Sequence, residues 1–243
     1  MISTQREGGI VVLTLEGPSQ NALSEEFADA LTGAVTGASA DNDTKVIVLA
    51  GQDDVFCSGA PRELLVRLTN GDLRPADILL PKLLFDCPVP IVAAMTGHAV
   101  GGGFALGLAA DIVLIARESR YGFTFMNLGF SPGMGVTRLC EHVLSPAVAH
   151  ELLYTGELRR GDAFDRCGGI NYVLPKGEVM PKALDVATRI AEKPRASIEL
   201  LKRTLSLTRR RLFEETITLE MLMHQITLRS PGARRAIEDD YVE

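Results

Sequence analysis

Four short runs of apolar residues divide the first half of the chain. They occupy residues 10–15, 45–50, 90–95 and 111–116. Each run is almost continuously apolar rather than alternating, which is typical of strands covered on both faces in a mostly parallel sheet. Helical spacing lies between the runs. We predict a helix after Ser24, with Phe27, Leu31 and Val35 on its buried face.

Strands that alternate with helices predict an α/β fold with a mostly parallel core, for which repeated ββα units are a fitting topology. We assign this core to residues 1–144. After about residue 145 the strand pattern nearly disappears and helical spacing takes over, interrupted by glycines and prolines. Residues 145–243 are therefore predicted to form a helical region that packs on the core or on a neighbouring subunit.

Composition narrows the class of protein. The chain has 243 residues, 46% of them hydrophobic, and a net charge of −6. This negative charge argues against nucleic acid as a partner, and no apolar run is long enough to span a membrane. No signal peptide is recognisable at residue 1, so a cytoplasmic location is expected. The four cysteines and four histidines are scattered without metal-ligand spacing, and we expect no metal.

The glycine-rich segment at 97–105 carries the clearest candidate chemistry. An apolar strand runs into Gly101, Gly102 and Gly103 and continues into an apolar helix. Consecutive glycines allow a close approach of the backbone, and the start of a helix presents free N–H groups to an anion. A thioester enolate is a fitting anion. A turn that only permits tight packing explains this segment equally well when it is taken alone.

Other segments give the glycine turn a context. Phe56-Cys57-Ser58-Gly59-Ala60 precedes it, Ala110-Asp111-Ile112 follows it, and a Gly-x-x-Pro-Gly-x-Gly pattern occupies residues 129–135. Together these ordered motifs resemble the crotonase (enoyl-CoA hydratase/isomerase) superfamily over nearly the whole chain. The resemblance implies the crotonase fold, with a C-terminal trimerisation region. It also implies an oxyanion hole formed by the backbone N–H groups of Ala60 and Gly102, which stabilises a negatively charged thioester oxygen.

Two expected carboxylates are missing. Hydratases of this superfamily carry one glutamate two residues after the third glycine and another before the Gly-x-x-Pro-Gly segment. Here these positions hold Ala105 and Phe125, and neither can transfer a proton. The resemblance therefore implies a dry pocket that keeps the oxyanion hole but disfavours simple hydration.

The closer resemblance is to the decarboxylases of polyketide β-branching, the second enoyl-CoA hydratase-like enzyme of the HMG-synthase cassette. It rests on segments 86–98, 125–135, 191–195 and 221–224. That branch acts on 3-methylglutaconyl groups tethered to an acyl carrier protein. It uses a histidine at the position of His224 and a lysine between the oxyanion turns. Ungapped counting places Arg74 at the lysine position, with Lys82 nearby, and an arginine binds a carboxylate but cannot give up its proton.

The function implied is decarboxylation of a 3-methylglutaconyl-type thioester, carried on the phosphopantetheine of an acyl carrier protein or of CoA. No further cofactor is expected. A dehydratase or isomerase acting on a 3-hydroxyacyl or enoyl thioester, or a silent thioester-binding homologue, remains the alternative. His98, beside the glycine turn, is a further pocket candidate, although a structural role fits it at least as well. His224 on an apolar helix and Lys82 in a loop could also be purely structural.

Assembly is expected to be a homotrimer or a dimer of trimers. The superfamily resemblance implies trimers. The C-terminal helical region also spreads Ile217, Leu219, Leu222 and Leu228 over more than one helix face. A helix with this much apolar surface needs a partner to cover it.

Overall fold

A computed structural model describes residues 1–73, 80–165, 167–239 and 241. Ten strands are present in this part of the chain: β1 (Ile2–Glu7), β2 (Ile10–Leu15), β3 (Val46–Ala50), β4 (Val55–Cys57), β5 (Ile91–Met95), β6 (His98–Val100), β7 (Ile112–Ala116), β8 (Arg120–Gly122), β9 (Leu158–Arg160) and β10 (Tyr172–Leu174).

Helices connect and cover the strands. They are α1 (Pro18–Asn21), α2 (Glu25–Ala40), α3 (Arg62–Asn70), α4 (Leu80–Asp86), α5 (Gly102–Leu108), α6 (Val136–Leu144), α7 (Pro146–Thr155), α8 (Lys176–Ala191), α9 (Arg195–Leu205), α10 (Leu207–Thr227) and α11 (Pro231–Glu238). The single turn α1 contains left-handed residues, with φ values of +49° at Ser19 and +58° at Gln20.

The strands form two sheets. The larger sheet has the order β1-β2-β3-β5-β7-β10, and the smaller has the order β4-β6-β8-β9. Pairing is parallel within both sheets except at β1–β2 and β8–β9. The predicted α/β class and mostly parallel core are thus confirmed, and each of the four predicted apolar runs contains one strand of the larger sheet.

Continuous apolar runs occur because the larger sheet is covered on both faces. Along β3, Ile47 and Leu49 enter the core that packs under α2 and α5, whereas Val46 and Val48 enter a second core beneath α8. The predicted cap is also present, since the Ser24 hydroxyl accepts a hydrogen bond from Phe27 N at 3.1 Å. Phe27, Leu31 and Val35 are buried, as the spacing predicts.

The segment 145–243 departs from the helical prediction in two places. The short strand β9 pairs with β8 in the smaller sheet, and β10 pairs with β7 at the edge of the larger one. Each has only three residues, too few for the spacing of apolar positions to reveal a strand. Within the described residues, no helix combines the length and the hydropathy that a membrane crossing requires.

Candidate active site

Parallel pairing of β4 with β6 brings the two glycine-containing turns together. Val55 pairs with His98 and Cys57 with Ala99, so the turns that follow both strands leave the sheet side by side. Gly59 has a φ of +91°, and a Cβ added there would lie 2.8 Å from Val100 O and 3.8 Å from Gly102 N. This close approach places the turn that carries Ala60 against the turn that carries Gly102.

Each position of the glycine triplet has a conformational or steric requirement for glycine. Gly101 adopts a φ of +54°, a region that glycine enters without penalty. A Cβ on Gly102 would lie 2.6 Å from both Leu23 Cδ1 and Met134 Sδ, and one on Gly103 would collide with Cys57 O. Gly102 is the first residue of α5, so its N–H has no acceptor within the helix.

The left-handed turn before α2 supports the first of these turns. Leu23 N donates a 2.8 Å hydrogen bond to Gly59 O, and its side chain lies against Gly102. Fully buried Asn21 donates from Nδ2 to Phe56 O at 3.1 Å. The left-handed conformation of these non-glycine residues leaves no periodic signal in the sequence, so the sequence alone does not reveal it.

A cavity of about 730 Å³, part of it open to solvent, lies in front of both turns. Its wall is mainly apolar. The lining residues are Leu23, Ser58, Gly59, Ala60, Leu64, Leu65, Leu68, Gly101, Gly102, Thr124, Phe125, Leu128, Phe130, Gly133, Met134, His224, Leu228 and Tyr241. Of these, only His224 and Tyr241 carry titratable side chains. The cavity therefore brings together Ala60, Gly102, Phe125 and His224, four of the residues selected from the sequence.

A second, outer cleft of about 1230 Å³ adjoins the cavity. Both spaces are lined by Ser58, Ala60, Thr124, Leu128 and Tyr241. The lining residues that belong only to the outer cleft are Ser19, Gln20, Ala22, Pro61, Val100, Asn127 and Leu158. In the described wall of this cleft, no side chain carries a charge. Ala60 thus lies where the mainly apolar cavity meets a more polar cleft whose described wall is uncharged.

His224 enters the cavity from α10. Its side chain is buried, and Nε2 lies 3.0 Å from Ser131 O. Because a carbonyl oxygen only accepts, Nε2 carries the proton of this hydrogen bond. The buried Nδ1 has no hydrogen-bond partner among the described residues. Burial lowers the pKa of His224, and the carbonyl groups of Ser131 and Pro132 oppose this shift, which leaves a neutral imidazole near pH 7.

The segment 131–137, which contains Ser131, also packs against the imidazole ring. Gly133 is in contact with the ring, since a Cβ there would lie 2.6 Å from His224 Cε1. Met134, in the left-handed region with a φ of +63°, turns its sulfur towards Gly102. The Gly-x-x-Pro-Gly-x-Gly pattern therefore forms a wall between His224 and the triplet turn, which its glycines alone did not predict.

Aromatic packing closes the cavity where the resemblance places a catalytic carboxylate in hydratases. The Phe125 ring stacks on Phe123, with centroids 6.0 Å apart, and meets Phe130 edge-on at 5.8 Å. Tyr241 also belongs to the wall, and its hydroxyl donates to Ala60 O at 2.8 Å. The sequence did not reveal Tyr241 as a wall residue, because it lies 181 positions from Ala60 along the chain and only the fold brings the two together.

Three predicted pocket or catalytic residues lie elsewhere. Ala105 is fully buried in the main core and does not line the cavity. His98 is exposed, and its Nδ1 accepts a 2.8 Å hydrogen bond from Arg120 N in β8. Lys82 is half exposed on α4 and pairs with Asp86 at 2.5 Å. Arg74 falls outside the described residues, so its predicted role stays a prediction.

The described residues contain no group of three or more histidine, cysteine or acidic side chains placed to hold a metal ion. Cys57, close to the first turn, is fully buried, and burial raises the pKa of its thiol to about 12. A thiol that stays protonated is a poor nucleophile. Among the described lining residues, the backbone N–H groups of the two turns and the imidazole of His224 are candidate chemical groups.

Comparison with known proteins agrees with this geometry. The model of the family described as enoyl-CoA hydratase/isomerase matches residues 5–243. Bacillaene synthase decarboxylase PksI of Bacillus subtilis is 37% identical over 222 residues, which cover 91% of this chain and 89% of that protein.

Solved structures show the same likeness. The ECH2 decarboxylase domain of CurF from Lyngbya majuscula superposes with a TM-score of 0.92 at 33% identity, covering 99% of each chain. A structure from a dehydratase/decarboxylase enzyme couple involved in polyketide β-branching gives a TM-score of 0.95 at 35% identity, covering 99% of this chain and 96% of the other. The chain belongs to the enoyl-CoA hydratase/isomerase family and has the crotonase fold.

Proposed function

We propose that this protein is a lyase that removes CO2 from a 3-methylglutaconyl-type thioester in polyketide β-branching. One observation carries the proposal. Among the described lining residues of the cavity beside Ala60 and Gly102, His224 offers an imidazole that can exchange a proton, and Phe125 occupies the place of a carboxylate. PksI and the CurF domain, which are similar over nearly their whole length, are both decarboxylases.

The reaction needs no base from the protein. The bond between the terminal carboxylate and its neighbouring carbon breaks, and the electron pair moves through the double bond to the thioester oxygen. CO2 leaves, and the N–H groups of Ala60 and Gly102 stabilise the resulting dienolate. A proton then returns to carbon. A substrate carboxylate in this apolar cavity favours the imidazolium form of His224, which can supply that proton.

The thioester carbonyl is placed by this proposal at the junction of the two cavities. The acyl group occupies the inner, apolar cavity, and the phosphopantetheine arm leaves through the outer cleft. An uncharged lining of hydroxyl, amide and apolar groups fits the amides of that arm. The arm belongs to an acyl carrier protein or to CoA, and comparing kcat/KM for both forms of one thioester separates these partners.

A decarboxylation assay with a matched pair of variants tests the proposal. Purified protein is incubated with a 3-methylglutaconyl thioester, and the acyl mass is followed. We expect loss of CO2. Gly102→Pro should reduce the rate by at least roughly 10²–10³-fold, because proline removes the N–H donor and its ring also meets the side chains of Leu23 and Met134. Gly177→Pro is the control, since Gly177 is exposed in the first turn of α8 with open space around it. Unchanged acyl mass with folded wild-type protein would contradict the proposal.

We also propose that the protein assembles as a homotrimer or a dimer of trimers. Seven large apolar side chains on α9 and α10 are more than half exposed: Leu200, Leu201, Leu205, Leu207, Leu219, Leu222 and Ile226. Two of the four residues selected from the sequence, Leu219 and Leu222, belong to this surface. Leu228 is buried within its own chain, and Ile217 packs partly against the main core.

A further inference from the structure

Glu220 is a buried carboxylate outside the cavity wall. It lies on α10 one turn before His224, and only 2% of its surface is exposed. Its oxygens accept from Gly135 N at 2.6 Å, from Thr137 N at 3.1 Å and from the Thr137 hydroxyl at 2.8 Å. Within the described chain, no basic side chain forms an ion pair with Glu220. A buried carboxylate without a cation is costly, so this position invites a functional explanation.

The contacts of Glu220 continue those of His224 along one helix face. Residues 220, 224 and 227 share a face of α10 through their spacing. His224 donates to Ser131 O, while the Thr227 hydroxyl accepts from Ser131 N at 3.2 Å. Glu220 binds the other end of the same segment at Gly135 and Thr137. The segment 131–137 is therefore fixed to α10 at both ends.

The position of this segment decides where the imidazole stands. Ser131 O is the hydrogen-bond acceptor that orients the ring, and Gly133 is packed against it without room for a methyl group. Met134, in the same segment, packs against Gly102, so the segment contacts both the imidazole and the glycine triplet. A small displacement of the segment would alter both the ring orientation and one wall of the oxyanion hole. Displacements of about 1 Å in an active site can cost 10²-fold in rate.

We propose that Glu220 is a positioning residue for His224. The carboxylate of Glu220 anchors the segment 131–137 at Gly135 and Thr137, so that the imidazole keeps its Nε2 hydrogen bond to Ser131 O. This inference rests on the proposed function for its kinetic consequence, but not for the geometry that it describes. Thr137 is the partner through which the carboxylate acts. Glu220 itself does not line the cavity.

Kinetics of matched variants test the first consequence. Glu220→Gln preserves shape but cannot accept all three hydrogen bonds, and we expect kcat to fall about tenfold or more with KM within about twofold. Glu215→Gln, an exposed position on the same helix, should leave both unchanged. Thr137→Val removes only the hydroxyl donor and should lower kcat less, in the same direction. Wild-type kcat in both the Glu220 and Thr137 variants would overturn the proposal.

The nitrogen NMR signals of the His224 ring test the geometry without any substrate. Histidine labelled with ¹⁵N and a His224→Ala reference identify the resonance. Wild-type protein should show a single tautomer protonated at Nε2, and Glu220→Gln should show a mixture of tautomers. An unchanged tautomer in Glu220→Gln would overturn the positioning role. Altered NMR signals in an enzyme without decarboxylase activity would instead refute the proposed function and support the positioning role.

Discussion

Among single residues, His224 matters most to the proposed reaction. Its imidazole is buried, bound through Nε2 to Ser131 O, and neutral near pH 7 because burial lowers its pKa. Among the described residues that line the cavity, the only other titratable side chain is that of Tyr241. A neutral ring without a partner at Nδ1 can accept a proton when a carboxylate enters, and return it to carbon after CO2 has left.

Replacement of His224 should therefore remove the proton donor. His224→Ala is expected to lower kcat by roughly 10²–10⁴-fold, the range found for general acids, while the far-ultraviolet circular dichroism stays unchanged. His98→Ala is the matched control, because His98 is exposed and lies outside the cavity. Near-normal turnover by folded His224→Ala would exclude His224 from the mechanism.

Arg74 and Lys82 are the two candidates for the cation that binds the substrate carboxylate, and their variants distinguish them. Lys82 is already paired with Asp86 on the exposed side of α4, so Lys82→Ala should leave KM unchanged. Arg74→Ala should raise KM by roughly tenfold or more, since one charge-assisted hydrogen bond is lost. Arg74→Lys should retain most of the affinity. A silent Arg74→Ala together with a damaging Lys82→Ala would show that Lys82 fills the family's lysine position.

At the scale of elements, the sequence predicted best what periodicity and caps encode. The apolar runs of β2, β3, β5 and β7 and the Ser24 cap of α2 are local signals, and each is present in the structure. Three-residue strands such as β9 and β10 escaped prediction because they are too short to show a period. Glu220 escaped because its partners, Gly135 and Thr137, are more than 80 positions away in sequence.

The environment of α10 makes stability depend on pH. Burial raises the pKa of Glu220 from 4.5 to about 7, while hydrogen bonds from Gly135 and Thr137 oppose the shift. Between these two values the folded chain binds a proton that the unfolded chain has released. The contribution of Glu220 to stability therefore falls as the pH rises through this window.

Denaturation of wild type and Glu220→Gln at several pH values measures this effect. The free energy of unfolding of the wild type, relative to the variant, should fall by up to about 3 kcal/mol between pH 4.5 and 7. The comparison isolates Glu220 because His224 and all other titrating groups are common to both proteins. A constant difference between the two proteins across this range would show that folding does not shift the pKa of Glu220.

In the whole molecule, the helices α9 and α10 expose a group of large apolar side chains to solvent. The exposed leucines of α9 and α10 form part of a surface that no described segment of the same chain covers. The sequence predicted such a surface and two of its members, Leu219 and Leu222, but not the rest, because helical spacing alone does not tell which face of α10 packs on its own core. Leu228 and Leu222 illustrate this, with exposures of 4% and 54%.

Charged substitutions on this surface should dissociate the assembly. Leu219→Asp combined with Leu222→Asp is expected to convert trimers to monomers in sedimentation velocity at micromolar concentration, since burying two carboxylates is unfavourable. Tyr154→Asp is the control, because Tyr154 is 77% exposed and lies on α7 rather than on α9 or α10. A wild-type protein that sediments only as a monomer at this concentration would refute the proposed assembly.

We infer that the backbone N–H groups of Ala60 and Gly102, together with His224, promote decarboxylation rather than dehydration. One competition experiment tests it most directly: equal amounts of a 3-methylglutaconyl thioester and a 3-hydroxy-3-methylglutaryl thioester are offered together, and both acyl masses are followed. We expect the first substrate to lose CO2 and the second to stay unchanged. Loss of water from the second substrate, with the first left intact, would contradict it.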